Sequence, residues 1–145
     1  MPTAFQRRPH VCVLLGAVVC LLGALAAGAA EFDWNSVADV EEVLVVTTNQ
    51  DGTPRETTIW LAVVDGQGYI RTSGWTKWGD NVVRNPDIAL RIGDIEHPLR
   101  ASFVEDEALR ERIVATFREK YGRFDGFLNI LRGSKPPIMR LDPRD

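Results

Sequence analysis

The sequence predicts a small α+β domain whose antiparallel sheet is closed or partly open. Two observations carry this: about six short β-branched or apolar runs bounded by turn residues, and two or three helical stretches set between them. A third fixes the scale, since 145 residues with 45% hydrophobic and 26% charged composition have room for one core, domains typically taking roughly 100 to 200 residues.

Residues 1–30 differ from the rest. Arg7 and Arg8 precede a charge-free apolar run from Val11 to Leu25, which ends in Ala26-Ala27-Gly28-Ala29-Ala30. That order is the charged region, apolar region and small-residue cleavage site of a secretory signal. The run is shorter than the about 20 apolar residues that span a bilayer, so cleavage near Glu31 and a secreted or periplasmic domain over 31–145 are expected, with a membrane anchor as the outcome if the segment is retained. A twin-arginine signal is disfavoured by Pro9 and His10 after the arginines. Cys20 lies within the apolar run behind Val18-Val19, where a lipid-attachment site needs small residues. Both cysteines, Cys12 and Cys20, fall in this segment, leaving the domain no thiol chemistry and no cysteine-based metal site. Loss of Arg7 and Arg8 takes the formal charge from −3 to −5, two positive charges fewer. Such an acidic domain is a poor partner for nucleic acid, whose binding needs clustered Lys and Arg.

The first strand is expected over Glu42–Thr48, a short β-branched run. Asn49-Gln50-Asp51-Gly52-Thr53-Pro54 supplies turn chemistry, and a second strand follows from about Arg55 to Val64. In it Thr57, Ile59, Leu61 and Val63 share one face, with Thr58, Trp60, Ala62 and Val64 on the other. Asp65-Gly66 closes a hairpin into a third strand, Gly68 to Thr72, so the three form an antiparallel meander. A short helix from Asp80 to Arg84 must stop by Asn85, because Pro86 disfavours the helical region in the residue before it. Strands resume at Ile88–Ile92 and about Leu99–Val104 around the Gly93-Asp94 turn. The last helix is capped by Glu105 or Asp106, shows Leu109, Ile113, Val114 and Phe117 at helical spacing, and stops at Gly122. Gly126 to Leu131 reads as a further helical turn, and Ile138 to Leu141 as a closing strand.

Hydrolytic machinery is hard to assemble. His97 is the one histidine after residue 30, and a lone imidazole makes neither a triad nor a zinc site. Glu105, Asp106, Glu107 and Glu111 gather at a helix start, where negative charge complements the dipole. The informative stretch runs from Tyr69 to Pro86. A strand ending in Arg71-Thr72-Ser73 is followed by Lys77 and further polar groups ahead of a helix start, which is the composition of a phosphate cradle. Trp60, Trp75 and Trp78 offer flat apolar surface for a planar ring. The alternative is a basic, aromatic loop that only covers the end of the barrel.

The order Gly52-Thr53-Pro54, Thr57-Thr58-Ile59-Trp60, Asp65-Gly66, Tyr69-Ile70-Arg71-Thr72, Lys77, Asn81, Asn85-Pro86 and Arg140-Leu141-x-Pro143 resembles the flavin-binding split β-barrel of the pyridoxamine-phosphate-oxidase-like superfamily. The likeness covers residues 42 to 143. It implies a six-stranded split β-barrel with short helices, a homodimer, and FMN held between protomers. Carried across, it implies that Thr57, Thr58, Ile59 and Trp60 lie beside the ring, with Arg71, Thr72, Ser73 and Lys77 around the phosphate. The stretch from Lys77 to Pro86, with Lys120-Tyr121-Gly122, is also similar to the deazaflavin-dependent nitroreductase-like branch. That branch's glycine pair and histidine-proline are absent, as is the C-terminal substrate loop of true pyridoxamine-phosphate oxidases.

The resemblance therefore implies an FMN-dependent oxidoreductase, or a deazaflavin-dependent one, passing a hydride between a reduced nicotinamide or small organic substrate and the ring, while export is expected from the N-terminal segment alone. No residue stands out as general acid or base. The competing expectation is a non-enzymatic barrel that carries haem or another flat ligand, with His97 as its discriminating residue.

Overall fold

The computed structural model describes residues 32–73, 76–132 and 135–144, excluding the side chains of 123–132. The expected signal segment, 1–30, and Trp75 lie outside the described residues. The sheet comprises β1 (Glu42–Thr48), β2 (Pro54–Trp60), β3 (Ala62–Val64), β4 (Gln67–Arg71), β5 (Asp87–Ile92), β6 (Ile95–Phe103) and β7 (Ile138–Pro143). Helix α1 (Lys77–Arg84) precedes β5, α2 (Glu107–Arg132) precedes β7, and a 3₁₀ turn, Trp34–Val37, precedes β1. No helix among the described residues is long and apolar enough to cross a membrane.

The α+β class is as expected, with seven strands instead of six. The difference arises at Leu61. Val43 pairs with Ile59 and Glu42 with Trp60, whereas Ala62 pairs with Tyr69 on β4. The expected second strand therefore divides: its first half lies beside β1, its second half beside β4, and the meander is interrupted between them. In the strand order β2-β1-β5-β6-β7-β4-β3, β2 and β3 are the two edges although only Leu61 separates them in sequence. A sheet whose edges are joined by one residue must curl on itself. That is the split barrel.

Local chemistry accounts for the remaining boundaries. Asp65 (φ 51°) and Gly66 (φ 71°) both take left-handed conformations, the pattern of a two-residue type I′ hairpin. Helix α1 begins earlier than expected because the Thr76 hydroxyl accepts from Gly79 N–H at 3.3 Å. It ends at Asn85, which is extended (φ −140°, ψ 103°) ahead of Pro86. Asp106 caps α2 by accepting from Leu109 N–H at 2.7 Å. Gly122 (φ 60°, ψ −140°) breaks α2 where the sequence places its stop, and helical backbone resumes through the Gly126–Leu131 stretch. Strand β6 runs longer than expected, back through Pro98, because Pro98 lies opposite Ala89 of β5 yet beyond the last pair with β7, Leu99 opposite Pro143. A residue without an N–H is tolerated at such a one-sided position.

The core has two parts. Inside the curl, Val45, Leu61, Ile70, Leu90, Leu99 and Leu141 pack with Trp78 and Val82 of α1. Beneath α2, Ile113 and Phe117 pack on Ala62, Val64, Tyr69 and Ile138. Trp34 anchors the 3₁₀ turn by lying on the backbone of Gly68, where an added Cβ would come within 2.3 Å of its indole carbons.

Gly68→Ala should therefore displace Trp34 and cost about 1 to 3 kcal/mol. The check is a lower urea midpoint with an unchanged m-value; a shift below about 0.5 kcal/mol, the range of ordinary surface changes, would mean that the indole does not cover this glycine.

Candidate functional site

The β1–β2 turn builds one wall of a polar cleft. Gly52 (φ 84°) allows the tight return, and Asp51 Oδ1 locks it by accepting from the Thr53 hydroxyl at 2.6 Å and from Thr53 N–H at 3.0 Å. These bonds, the hydroxyl foremost, hold the Asp51 carboxyl below its usual pKa. The cleft, about 420 Å³ in volume, is lined by Asn49, Gln50, Asp51 and Arg55 from this side and by Lys77, Asp80, Asn81 and Arg84 from α1. Three cations thus face two carboxylates, one of them already occupied by Thr53.

A chain of amides forms the floor. Asn81, 4% exposed, donates from Nδ2 to Thr47 Oγ1 and to Asn49 Oδ1, both at 3.0 Å, and its Oδ1 accepts from Arg84. Asn49 Oδ1 also accepts from Arg55 Nε at 2.9 Å. Such a set of prearranged cations is what binding an anionic oxygen group requires.

Of the residues expected around a phosphate, Lys77 lies in this cleft and Arg71 lies elsewhere. The Arg71 guanidinium is buried against aromatic rings, 4.4 Å from the Phe117 centroid and 5.7 Å from that of Trp60. Thr72 and Ser73 lie between: the buried Thr72 hydroxyl donates to Ser73 C=O at 2.9 Å and shares a hydrogen bond with the Thr76 hydroxyl. The close approach of both hydroxyls to Gly79, within 2.8 Å of where a Cβ would stand, directs them onto α1.

The residues expected beside a ring divide by strand alternation. Thr57 and the buried Ile59 face inward, while Thr58 is exposed on the outer face and lines a hollow of about 300 Å³ with Leu44 and Arg91. Trp60 stacks on Tyr121, with centroids 4.2 Å apart and planes at 4°. Trp78, 5% exposed, is a core residue. His97 packs at a tilt against Phe32, with centroids 4.4 Å apart.

Tyr121 belongs to a clamp on the barrel seam. Its hydroxyl accepts from Leu61 N–H at 3.1 Å, and its proton is shared between the carbonyls of Glu41 (2.6 Å) and Leu61 (2.9 Å). Lys120 Nζ donates to Ala38, Val40 and Leu61 carbonyls at 2.7, 2.5 and 3.0 Å, so three donors meet three acceptors. Burial lowers the Lys120 pKa, opposed by the Asp39 and Glu41 carboxylates. Burial likewise pushes the Tyr121 pKa up to about 12.

Sequence reasoning missed Arg55 and Arg84 as cleft residues and Lys120 as a clamp. The spacing of Lys77, Asn81 and Arg84, four and then three residues, places all three on one helix face and was the available signal for Arg84. No comparable signal exists for Lys120, whose partners are carbonyls.

Residues 33–134 match the model of a protein family described as "Uncharacterized protein conserved in bacteria (DUF2255)". The chain belongs to this family. No curated protein sequence matches the chain. Among solved structures it is similar to HutZ, the haem storage protein of Vibrio cholerae, at 18% identity and a TM-score of 0.60, covering 72% of this chain and 82% of that one. It is also similar to the F420-H2-dependent reductase FDR-A, at 22% identity and a TM-score of 0.57, covering 71% and 95%. A pyridoxamine 5′-phosphate oxidase-like protein of Listeria innocua gives 18% identity and a TM-score of 0.54, covering 72% and 85%. The fold is that of the pyridoxamine-phosphate-oxidase-like split barrel.

The Tyr121 phenol sets an alkaline limit on stability. Its pKa is 10.0 unperturbed and about 12 when folded, so between those values the unfolded chain holds fewer protons and stability falls as pH rises. Lys120, with a lowered pKa, acts in the opposite direction, and Tyr69, raised by burial, acts in the same one. Tyr121→Phe should cost about 1 to 3 kcal/mol near neutrality, and its stability should approach that of the wild type between pH 10 and about 12. Parallel pH profiles would remove Tyr121 from the seam.

Proposed function

We propose that this protein binds the phosphate-bearing part of a flavin-type cofactor, FMN or alternatively a deazaflavin, in the Lys77–Arg55–Arg84 cleft, and acts as an oxidoreductase. The observation that carries this reading is the cleft: three cations on a prearranged amide floor in a pyridoxamine-phosphate-oxidase-like barrel. The residues present fit the anionic end of such a group. Arg55 and Arg84 offer guanidinium donors in fixed directions, Lys77 adds an exposed ammonium, and Asp51 is engaged by Thr53.

When bound, the cofactor would supply hydride transfer. The chain's own part is to bind and orient it. Lys77, Arg55 and Arg84 would neutralise phosphate, replacing the Arg71–Lys77 pair that the sequence suggested, since Arg71 is committed to Phe117 and Trp60. The hollow beside Thr58, on the outer face of the sheet, supports a place for the ring. Half-buried Leu44 and Val46 on the same face of β1 support a homodimer that covers it. The alternative ligand, haem, would need the His97 imidazole, which is engaged with Phe32, so the geometry favours the flavin-type reading. FDR-A, an F420-H2-dependent reductase of the same fold, is consistent with it.

For the segment before residue 31 we propose removal during export. Intact mass of the protein from its native host should then start at or near Glu31; a full-length mass would end that proposal.

Titration with FMN and with F420, followed by absorbance and thermal unfolding, tests the central reading. A cofactor at about 100 times its dissociation constant should add about 2.7 kcal/mol of stability. Lys77→Ala and Arg55→Ala should each weaken binding roughly tenfold or more, as expected for a lost hydrogen bond to charge worth about 1.5 to 3 kcal/mol. No visible spectrum and no thermal shift with either cofactor would refute it.

A further inference from the structure

Asn81 has the connections of a hub. Its amide nitrogen donates to Thr47 Oγ1 and Asn49 Oδ1, its amide oxygen accepts from Arg84, and the whole side chain is buried. Asn49 Oδ1 receives Arg55 Nε as well, while Asn49 Nδ2 is tied to the Thr53 hydroxyl at 3.1 Å. One interior amide therefore fixes two guanidiniums on different elements: Arg84 of α1 directly, and Arg55 of β2 through Asn49.

The side-chain type matters here. An amide presents donors on one side and an acceptor on the other, which Asp, Leu and Ala cannot reproduce. With its donors toward Asn49, the Asn49 oxygen is held facing Arg55; with its acceptor toward α1, Arg84 is drawn to the same point. A long cationic side chain loses rotamer freedom when it binds an anion, and holding it beforehand removes that cost from the binding step.

We infer that Asn81 is a positioning residue for anion recognition, holding Arg55 and Arg84 as one preorganised pair for the oxygens of a phosphate. This rests on the phosphate reading of the cleft, but the wiring can be tested without any ligand. Asn81→Asp is the informative variant. Its carboxylate still accepts from Arg84, yet it offers an oxygen to Asn49 Oδ1, so Asn49 must turn and Arg55 loses its acceptor. Asn81→Ala takes away the side-chain acceptor of Arg84, leaving it the Thr48 carbonyl at 3.4 Å, and cuts Asn49 loose from α1 so that Thr53 alone steadies the Arg55 acceptor.

The experiment is arginine side-chain NMR on the purified protein, paired with titration by inorganic phosphate, by FMN and by F420. Without ligand, the Arg55 Nε–H and Arg84 Nη–H signals should be dispersed and slowly exchanging in the wild type. Arg55 alone should lose this in Asn81→Asp, and both should lose it in Asn81→Ala. In the titrations Asn81→Ala should raise the dissociation constant about tenfold, and that factor should shrink several-fold when Arg55→Ala is already present. A residue that only stabilises the fold would weaken binding by the same factor in both backgrounds.

Arginine signals that do not respond to either Asn81 variant would overturn the inference, as would an undiminished factor in the Arg55→Ala background. If the signals respond as described and phosphate, FMN and F420 all fail to bind the wild type, the proposed cofactor reading falls while the positioning of the two arginines stands.

Discussion

The architecture depends on the one residue where the sheet gives up its own hydrogen bonding. At Leu61 the chain leaves β1 and begins pairing with β4, so Leu61 N–H and C=O have no partner in a strand ladder. An unsatisfied buried backbone group costs about 1 to 3 kcal/mol, and this site has two, beside the carbonyls of Ala38, Val40 and Glu41. Lys120 and Tyr121 satisfy all of them from the end of the first helical segment of α2. The ammonium and phenol thus do at the seam what a neighbouring strand does elsewhere. Gly122 follows directly, and its left-handed backbone ends the segment where those two side chains are delivered.

The seam also organises the aromatic layer beside it. Because Tyr121 is held by Leu61, its ring is fixed in plane, and Trp60, one residue before the break, stacks on it. Arg71 closes the group from β4, lying over Phe117 and toward Trp60. A buried guanidinium against aromatic faces gains cation–π attraction while its flat stem packs as an apolar group. This explains why Arg71 is a core residue even though it ends a strand that leads to the cleft-forming helix.

Much of the fold was legible in the sequence, and the reasons differ by element. Strand β1, the Asp65-Gly66 turn, the stop at Asn85 and the break at Gly122 are governed by local rules of β-branching, positive φ and the proline constraint, and these need no knowledge of the rest of the chain. The division at Leu61 was illegible because Arg55 to Val64 alternates without interruption; only the partners on either side reveal it. The candidate site follows the same logic. Lys77 was singled out as a cation between a strand end and a helix start, and Arg84 was within reach through its spacing from Lys77 and Asn81. The commitment of Arg71 to the core depends on Phe117 of α2, far along the chain, and no local pattern reports such a contact.

Stability and recognition are thereby assigned to different helices. Helix α2 packs on β3 and carries the seam clamp and the second core cluster. Helix α1 gives Trp78 and Val82 to the first cluster and turns Lys77, Asn81 and Arg84 toward the cleft. On α1 the apolar and polar faces are separated by helical periodicity, so the same eight residues fill one end of the barrel and present the cations. Arg55 and Arg84 are held by the neutral amides Asn49 and Asn81, which contribute hydrogen bonds without charge, so three cations face only two carboxylates in the cleft of an acidic protein.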